Sequence, residues 1–351
     1  MTDLMPDHMA AKAAADNFND ALAAHAAGRH AEAVRMLQQA SEAGHVAAMT
    51  LLGGQLLSGR GAPPDPAAGT QLILRAADLG GGQACAMAAA VTAAGVASPP
   101  EWTRALDYLQ RGAELGYGGA QDQLRFLSGS HGNSPSWAQL RRGVSVERWR
   151  VGPKPRTLMA DPTIRVVESF VSPAVCDWII AKARDNLRPA EVFDGQAVRP
   201  VKAEGRTNSA AGFDLVNADV VVLLVRERLA ATFGYDASAM EAPQLLHYAV
   251  GQQFAPHFDF LDDAIPAYAQ SVAALGQRFA TLLVYLNQDY EGGETDFPKL
   301  EYRFRGRTGD ALMFANIDAN GQADRRMLHA GLSPTAGEKW VLSQWVRGRS
   351  R

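Results

Sequence analysis

Gly44, Gly80 and Gly116 stand 36 residues apart, and that spacing constrains the first third of this 351-residue chain more tightly than any other feature. The same interval separates Ala48, Ala84 and Ala120, and Ala40 from Ala76. A helix-forming stretch runs up to each glycine, with apolar residues at i, i+3 and i+4. Glycine at that point supplies the left-handed residue that ends a helix, and the small alanines let paired helices approach closely. A fixed period of this size predicts a solenoid of helical hairpins, in which each repeat buries its apolar face against its neighbours.

The connectors Gly59-Arg60-Gly61-Ala62-Pro63-Pro64-Asp65 and Gly95-Val96-Ala97-Ser98-Pro99-Pro100-Glu101 share a glycine start and a Pro-Pro-acid end. With these connectors the repeats resemble the Sel-like subclass of tetratricopeptide-type arrays. The resemblance implies one of two roles: a concave surface on which a protein or peptide substrate docks, or a structural appendage. The expected bounds are a tail over residues 1–17, repeats over 18–130 and a linker over 131–161, opened by the turn-rich Ser128-Gly129-Ser130-His131-Gly132-Asn133-Ser134-Pro135. Beyond it, Ile164–Val167 reads as a strand, and Ser172-Pro173 starts a helix through Cys176 to about Asn186.

Chemistry concentrates in the C-terminal half. In His257-Phe258-Asp259 an imidazole and a carboxylate stand two residues apart. On a strand both point to one face and can grip one ion. His329 offers a second imidazole. Two nitrogens and one oxygen on one face leave three positions open, an arrangement that suits non-haem Fe(II). Lys339 follows ten residues after His329, across a turn with Pro334 and Gly337. A histidine and a lysine on neighbouring strands can face one cavity, where the ammonium suits the far carboxylate of a dicarboxylic acid.

These residues belong to a longer series: Tyr248-x-x-Gly251-x-x-Phe254-x-x-His257-x-Asp259, Arg278-x-x-Thr281-x-x-x-Tyr285-Leu286-Asn287, Gly292-Gly293-Glu294-Thr295-x-Phe297-Pro298, Gly309-Asp310-Ala311-Leu312-x-Phe314, then His329 through Lys339-Trp340 and Trp345. The series resembles the 2-oxoglutarate/Fe(II)-dependent dioxygenases, in their prolyl 4-hydroxylase branch, from roughly Pro162 to Arg347. The fold class that follows is α+β and multidomain: an N-terminal α-helical repeat solenoid, then a double-stranded β-helix, or jelly roll, over residues 162–351. The resemblance implies that His257, Asp259 and His329 bind Fe(II), that Lys339 pairs with the C5 carboxylate of 2-oxoglutarate, and that Tyr248 and Thr295 place hydroxyls on that carboxylate. Tyr285 is a further lining candidate, with core packing as its alternative. No catalytic side chain beyond the metal ligands is implied.

The implied reaction couples oxidative decarboxylation of 2-oxoglutarate, to succinate and CO2, to hydroxylation of a C–H bond with O2. Ascorbate is the expected reductant. Arg278, Trp345 and Phe254 fall at substrate-contact positions, although Phe254 stands where a tyrosine is usual and Arg347 where a histidine can occur. Leu261–Gln277 is expected to form a mobile loop over the substrate, and Val192-Phe193-Asp194-Gly195-Gln196 and Arg206-Thr207-Asn208-Ser209 the other lid region. The expected activity is hydroxylation of a peptidyl proline or another protein residue. The alternatives are hydroxylation of a free amino acid or other small molecule, and an idle oxygenase domain on a repeat scaffold.

Composition narrows the partners. A net charge of −3 gives no general attraction to nucleic acid or to an anionic membrane, and no run of 18 apolar residues can span one. Neither partner is expected. The basic residues Arg141, Arg142, Arg148, Arg150, Lys154 and Arg156 read as a solvated linker or as a strip for phosphates or acids. Cys85 and Cys176 fall in different parts of the chain and read as buried thiols rather than a disulfide framework. Met1–His8 carries neither a basic n-region nor an apolar h-region, so the expected location is cytoplasmic, where reducing conditions also preserve Fe(II).

Overall fold

The computed structural model describes residues 4–130, 135–194, 199–201 and 205–348. The chain divides into two compact units: residues 1–148 with 214–224, and residues 149–213 with 225–351. No described helix is long and apolar enough to cross a membrane.

Helices α1 (Leu4–Ala26), α2 (His30–Glu42), α3 (Val46–Ser58), α4 (Pro66–Asp78), α5 (Gly82–Ala94), α6 (Trp102–Glu114) and α7 (Gly118–Ser128) build the first unit. The starts of α2, α4 and α6 are 36 residues apart, as are those of α3, α5 and α7, so the glycine period is the period of a helical hairpin. Gly44, Gly80 and Gly116 sit in the tight turns with φ of +86°, +92° and +82°, which a side chain would disfavour. The facing helices α3 and α4 approach so closely that a Cβ on Gly69 would lie 2.8 Å from the Gly53 carbonyl oxygen.

Three boundaries differ from the sequence reading. The array starts at Leu4 rather than residue 18, because Ala14, Ala21 and Ala24 give α1 a buried face. Residues 131–134 of the expected linker lie outside the described residues. The rest holds α8 (Trp137–Gly143), started by a reciprocal Ser136–Gln139 capping box, α9 (Val146–Arg150) and strand β1 (Arg156–Met159). Residues 214–224 join the helical unit instead of the C-terminal domain. Arg60 Nη2 lies 2.8 Å from Asp214 Oδ2, and Gln123 Oε1 accepts the Val220 N–H at 3.0 Å. Leu223 and Ala218 pack on Ala90, Ala93 and Ala105.

The second unit contains α10 (Pro173–Arg184), most of α11 (Val220–Phe233), α12 (Pro266–Leu275) and the strands. After β1 come β2 (Ile164–Val167), β3 (Arg188–Pro189), β4 (Val192–Asp194), β5 (Arg199–Val201), β6 (Ser209–Gly212), β7 (Gln244–Tyr248) and β8 (Phe254–His257). They continue with β9 (Gln277–Tyr285), β10 (Tyr290–Gly292), β11 (Thr295–Phe297), β12 (Tyr302–Phe304), β13 (Ala311–Ala315), β14 (His329–Gly331), β15 (Pro334–Gly337) and β16 (Lys339–Gly348). Among the described residues, one antiparallel sheet runs β1-β2-β13-β9-β16-β7-β6-β3 and a second runs β12-β11-β14-β8; β10–β15 and β4–β5 are separate pairs. Leu283, Tyr285, Phe314 and Val341 from the larger sheet share one core with Phe297 from the smaller. Two antiparallel sheets closed on one core are the expected jelly roll.

Two further expectations change here. Residues 266–275 of the expected covering loop are helical, with Pro266 in the first turn, where its missing N–H leaves no bond unmade. Three of the six basic residues between Arg141 and Arg156 form separate ion pairs, Arg141 with Asp107, Arg150 with Glu227 and Arg156 with Glu168, rather than a shared strip. Of the other lid region, Val192–Asp194 forms β4, while Gly195 and Gln196 lie outside the described residues.

Candidate metal centre and co-substrate cleft

The smaller sheet brings the two histidines together. In the β8–β14 pair, His257 and His329 are direct partners. Asp259 lies in a bend just past the end of β8, not on the strand as expected, yet its carboxylate still meets both rings. Its Oδ1 is 3.6 Å from His257 Nε2, and its Oδ2 is 3.4 Å from His329 Nε2. The ligand atoms of all three lie within 4.8 Å of one another.

The donor set fits a divalent metal. His257 Nδ1 lies 2.9 Å from the Ala255 carbonyl oxygen and His329 Nδ1 3.0 Å from that of Met327. Donation to those carbonyls puts the ring proton on Nδ1 and leaves the Nε2 lone pair for a metal. Burial, with His329 adding to it, pushes His257 down to about 3, so its ring is neutral near pH 7. Asp259 is held well below the usual carboxylate range; His329, His257 and a hydrogen bond from Thr281 outweigh the opposing effect of burial. Thr281 Oγ1 donates to Asp259 Oδ2 at 2.7 Å, and Asn316 Nδ2 donates to Thr281 Oγ1 at 2.9 Å. Such outer partners fix the orientation of a ligating carboxylate.

The larger sheet forms the opposite wall. Alternate residues of β16 point inward, and Lys339, Val341, Ser343 and Trp345 all line a cleft with the triad. Its empty space, open mouth included, is about 460 Å³. Lys339 is 2% exposed and forms no ion pair among the described residues. Burial pushes its ammonium down to about 7, with Glu294 opposing. An anionic group entering the cleft would relieve that unpaired charge.

Tyr248 is the cross-strand partner of Lys339, and the Lys339 ammonium lies 5.1 Å from the Tyr248 ring centroid. Burial pushes the Tyr248 phenol upward, so it stays protonated. Thr295 lines the cleft from β11, and its hydroxyl is 2.7 Å from that of Tyr285. Tyr285 itself is fully buried in the core and holds Thr295 from behind rather than lining the cleft.

The three expected substrate contacts separate. Trp345 lines the cleft. Arg278 stands behind it, stacked 3.9 Å from the indole centroid and paired with both oxygens of Glu241 at 2.7 Å. Arg347 reaches the same carboxylate at 2.6 Å and ties it to Ser271 of α12. Against the upward push of burial, the two guanidiniums hold the Glu241 carboxyl below its usual range. Phe254 lines the cleft beside His257. Sequence reasoning missed Thr281 and Asn316 as supports of Asp259; Arg206, expected in the lid region, lines the cleft. Thr281 stood in a quoted motif, but only the pairing of β9 with its neighbours shows which way it points.

Residues 243–347 match the 2OG-Fe(II) oxygenase superfamily. The chain is 30% identical over 253 residues to prolyl 4-hydroxylase 1 of Arabidopsis thaliana, covering 67% of this chain and 87% of that protein. It is 28% identical over 214 residues to prolyl 4-hydroxylase 2 of the same plant, covering 55% and 70%. Among solved structures, the 2OG complex of the viral collagen prolyl hydroxylase from Paramecium Bursaria Chlorella virus-1 aligns with 53% of this chain and 96% of its own, at 26% identity and a TM-score of 0.41. A Sel1 repeat protein from Oxalobacter formigenes aligns with 36% of this chain and 99% of its own, at 24% identity and a TM-score of 0.31. The match through 243–347, the long alignment to a prolyl 4-hydroxylase and the His-Asp-His cluster agree: this chain belongs to the 2OG-Fe(II) oxygenase superfamily, as a prolyl 4-hydroxylase-like dioxygenase that works with Fe(II), 2-oxoglutarate and O2.

Proposed function

We propose that this dioxygenase hydroxylates a residue within a protein or peptide, most simply a proline. The observation that carries the reading is one cleft with the triad on one wall and Lys339 and Trp345 on the other, in a chain aligned along most of a prolyl 4-hydroxylase. His257, Asp259 and His329 would hold the metal and leave a face open for the co-substrate. Lys339 would take the C5 carboxylate of 2-oxoglutarate as a charge-assisted pair, with Tyr248 and Thr295 offering hydroxyls to it. Bound Fe(II) supplies the chemistry that couples decarboxylation of 2-oxoglutarate, to succinate and CO2, to hydroxylation of a C–H bond, with ascorbate as reductant. The apolar residues Leu246, Leu283 and Val341 keep water from the cleft wall.

Hydroxylation of a small molecule is the second reading. Phe254 offers no hydroxyl to a peptide, and the Arg278 guanidinium is already taken up by Glu241 and Trp345. An idle domain is disfavoured, since all three ligand residues and Lys339 are kept together. The helical array, Sel-like by its connectors, is proposed as the docking surface for a protein substrate. Its surface around Ala90, Ala93 and Gln123 already carries residues 214–224, which favours a structural role for that part.

The test is succinate formation by the full chain, purified anaerobically and then given Fe(II), ascorbate, 2-oxoglutarate and O2, with and without a proline-rich peptide. Peptide-stimulated succinate, with one oxygen atom's mass added to the peptide, is expected. Succinate that ignores the peptide would move the search to small molecules.

A further inference from the structure

Phe254 was expected to touch substrate, but both faces of its ring are covered. On one side it lies on the His257 imidazole, with centroids 3.5 Å apart and planes inclined by only 12°. On the other side the Arg206 guanidinium carbon stands 4.5 Å from the phenyl centroid.

The strip that carries Arg206 is sewn to the edge of β8. Residues 206 and 254 form a bridge, and Gly205 accepts the Ala255 N–H at 2.7 Å. Thr207 and Gln253 exchange hydrogen bonds, the Thr207 N–H donating to the Gln253 carbonyl and the Gln253 N–H to Thr207 Oγ1, each at 2.9 Å. Arg206 itself donates to the Glu191 carbonyl at 2.7 Å, so its plane is held over the ring. Opposite, the β8–β14 register shifts between the pairs His329–His257 and Gly331–Phe254. That irregularity lets Phe254 and His257, three residues apart, share one face.

We infer that Phe254 is a positioning residue for the metal ligand His257, clamped by Arg206, rather than a substrate contact. The carbonyl of Ala255 fixes the ring's proton, but one hydrogen bond leaves the imidazole free to swing about that axis. A flat ring in contact with its whole face removes that freedom. A metal-bound imidazole is electron-poor, and the negative face of a phenyl ring attracts it, so the stack strengthens when the metal is held.

The experiment is anaerobic titration of the full chain with Co(II), followed by its visible absorption, for wild type, Phe254→Leu, Phe254→Tyr and Arg206→Gln. Leucine keeps apolar bulk but has no flat face; tyrosine keeps the ring. We expect Phe254→Leu to lose about tenfold in Co(II) affinity, as outer partners of metal ligands commonly do, and Phe254→Tyr to stay within about twofold of wild type. Arg206→Gln, which leaves β8 untouched, should lower affinity by less than Phe254→Leu and serves if the leucine variant fails to fold. Unchanged Co(II) affinity in both Phe254→Leu and Arg206→Gln, or equal loss in the leucine and tyrosine variants, would overturn the assignment. The titration needs no substrate, so failure of the peptidyl reading leaves its result intact.

Discussion

At the scale of single residues, the site rests on atoms that neighbouring side chains have already aimed. Thr281 is fully buried, gives its hydroxyl hydrogen to Asp259 and takes one from Asn316. Thr281→Val keeps the volume, removes that donor and leaves the Asn316 amide without its acceptor. Metal affinity should fall by about 10–100-fold and stability by about 1–3 kcal/mol, read by Co(II) titration and thermal melting; an unchanged affinity would strip Thr281 of its role. Lys339 makes a different prediction. Its ammonium, pushed down to about 7, is charged below that pH and neutral above it in the free protein. Binding the dicarboxylate requires the charge, so above about pH 7 a proton must be taken up on binding. The dissociation constant of 2-oxoglutarate should then rise with pH, approaching about tenfold per unit. Lys339→Arg, which stays charged, should flatten that profile, and a wild-type affinity that does not change between pH 6 and 9 would contradict the assignment.

At the scale of elements, strand register decides what the cleft contains. The β14 strand is short, and Gly331, two residues after His329, lies against Tyr248: a Cβ there would stand 2.9 Å from the tyrosine hydroxyl. Gly331→Ala should therefore displace that hydroxyl, raising the KM for 2-oxoglutarate by about tenfold, with a packing cost of about 1–3 kcal/mol. Metal affinity should hold, because the Nδ1 anchors of both histidines are backbone carbonyls on the other side of the rings. A KM equal to wild type would show that Tyr248 plays no part in binding the co-substrate.

At the scale of the whole molecule, the chain is not divided as its sequence suggests. Residues 214–224 leave the second unit and seat Leu223, 6% exposed, among Ala90, Ala93 and Ala105 of the helical unit. Leu223→Asp would bury a carboxylate there with no partner. The Val220–Leu224 amides should lose at least about 3 kcal/mol of hydrogen-exchange protection, while exchange in α2 stays as in wild type. Full protection in the variant would mean that the seat contributes little.

The array and the metal triad were legible because both are written in spacings the chain cannot hide. A hairpin period of 36 repeats its own glycine turns, and ligands for one ion must come from few, recognisable residue types. Lys339 does face the same cleft as His329, but from the opposite sheet rather than from a neighbouring strand, because β15 lies between the two. The rest depends on pairings between distant segments. Asp259 lies past the strand end; Asn316 reaches it only through Thr281; Arg206 meets Phe254 across a bridge of 48 residues. Val220–Val225 is apolar all along, and such a run can be buried equally well in either unit, so periodicity says nothing about which one takes it. Local spacing therefore determined the helical array, while the resemblance carried by the motif series implied the jelly roll and the Fe(II) chemistry. Register and long-range packing, which set which side of each residue is covered, decided what supports the ligands, which expected contacts are already engaged, and where one unit ends and the other begins.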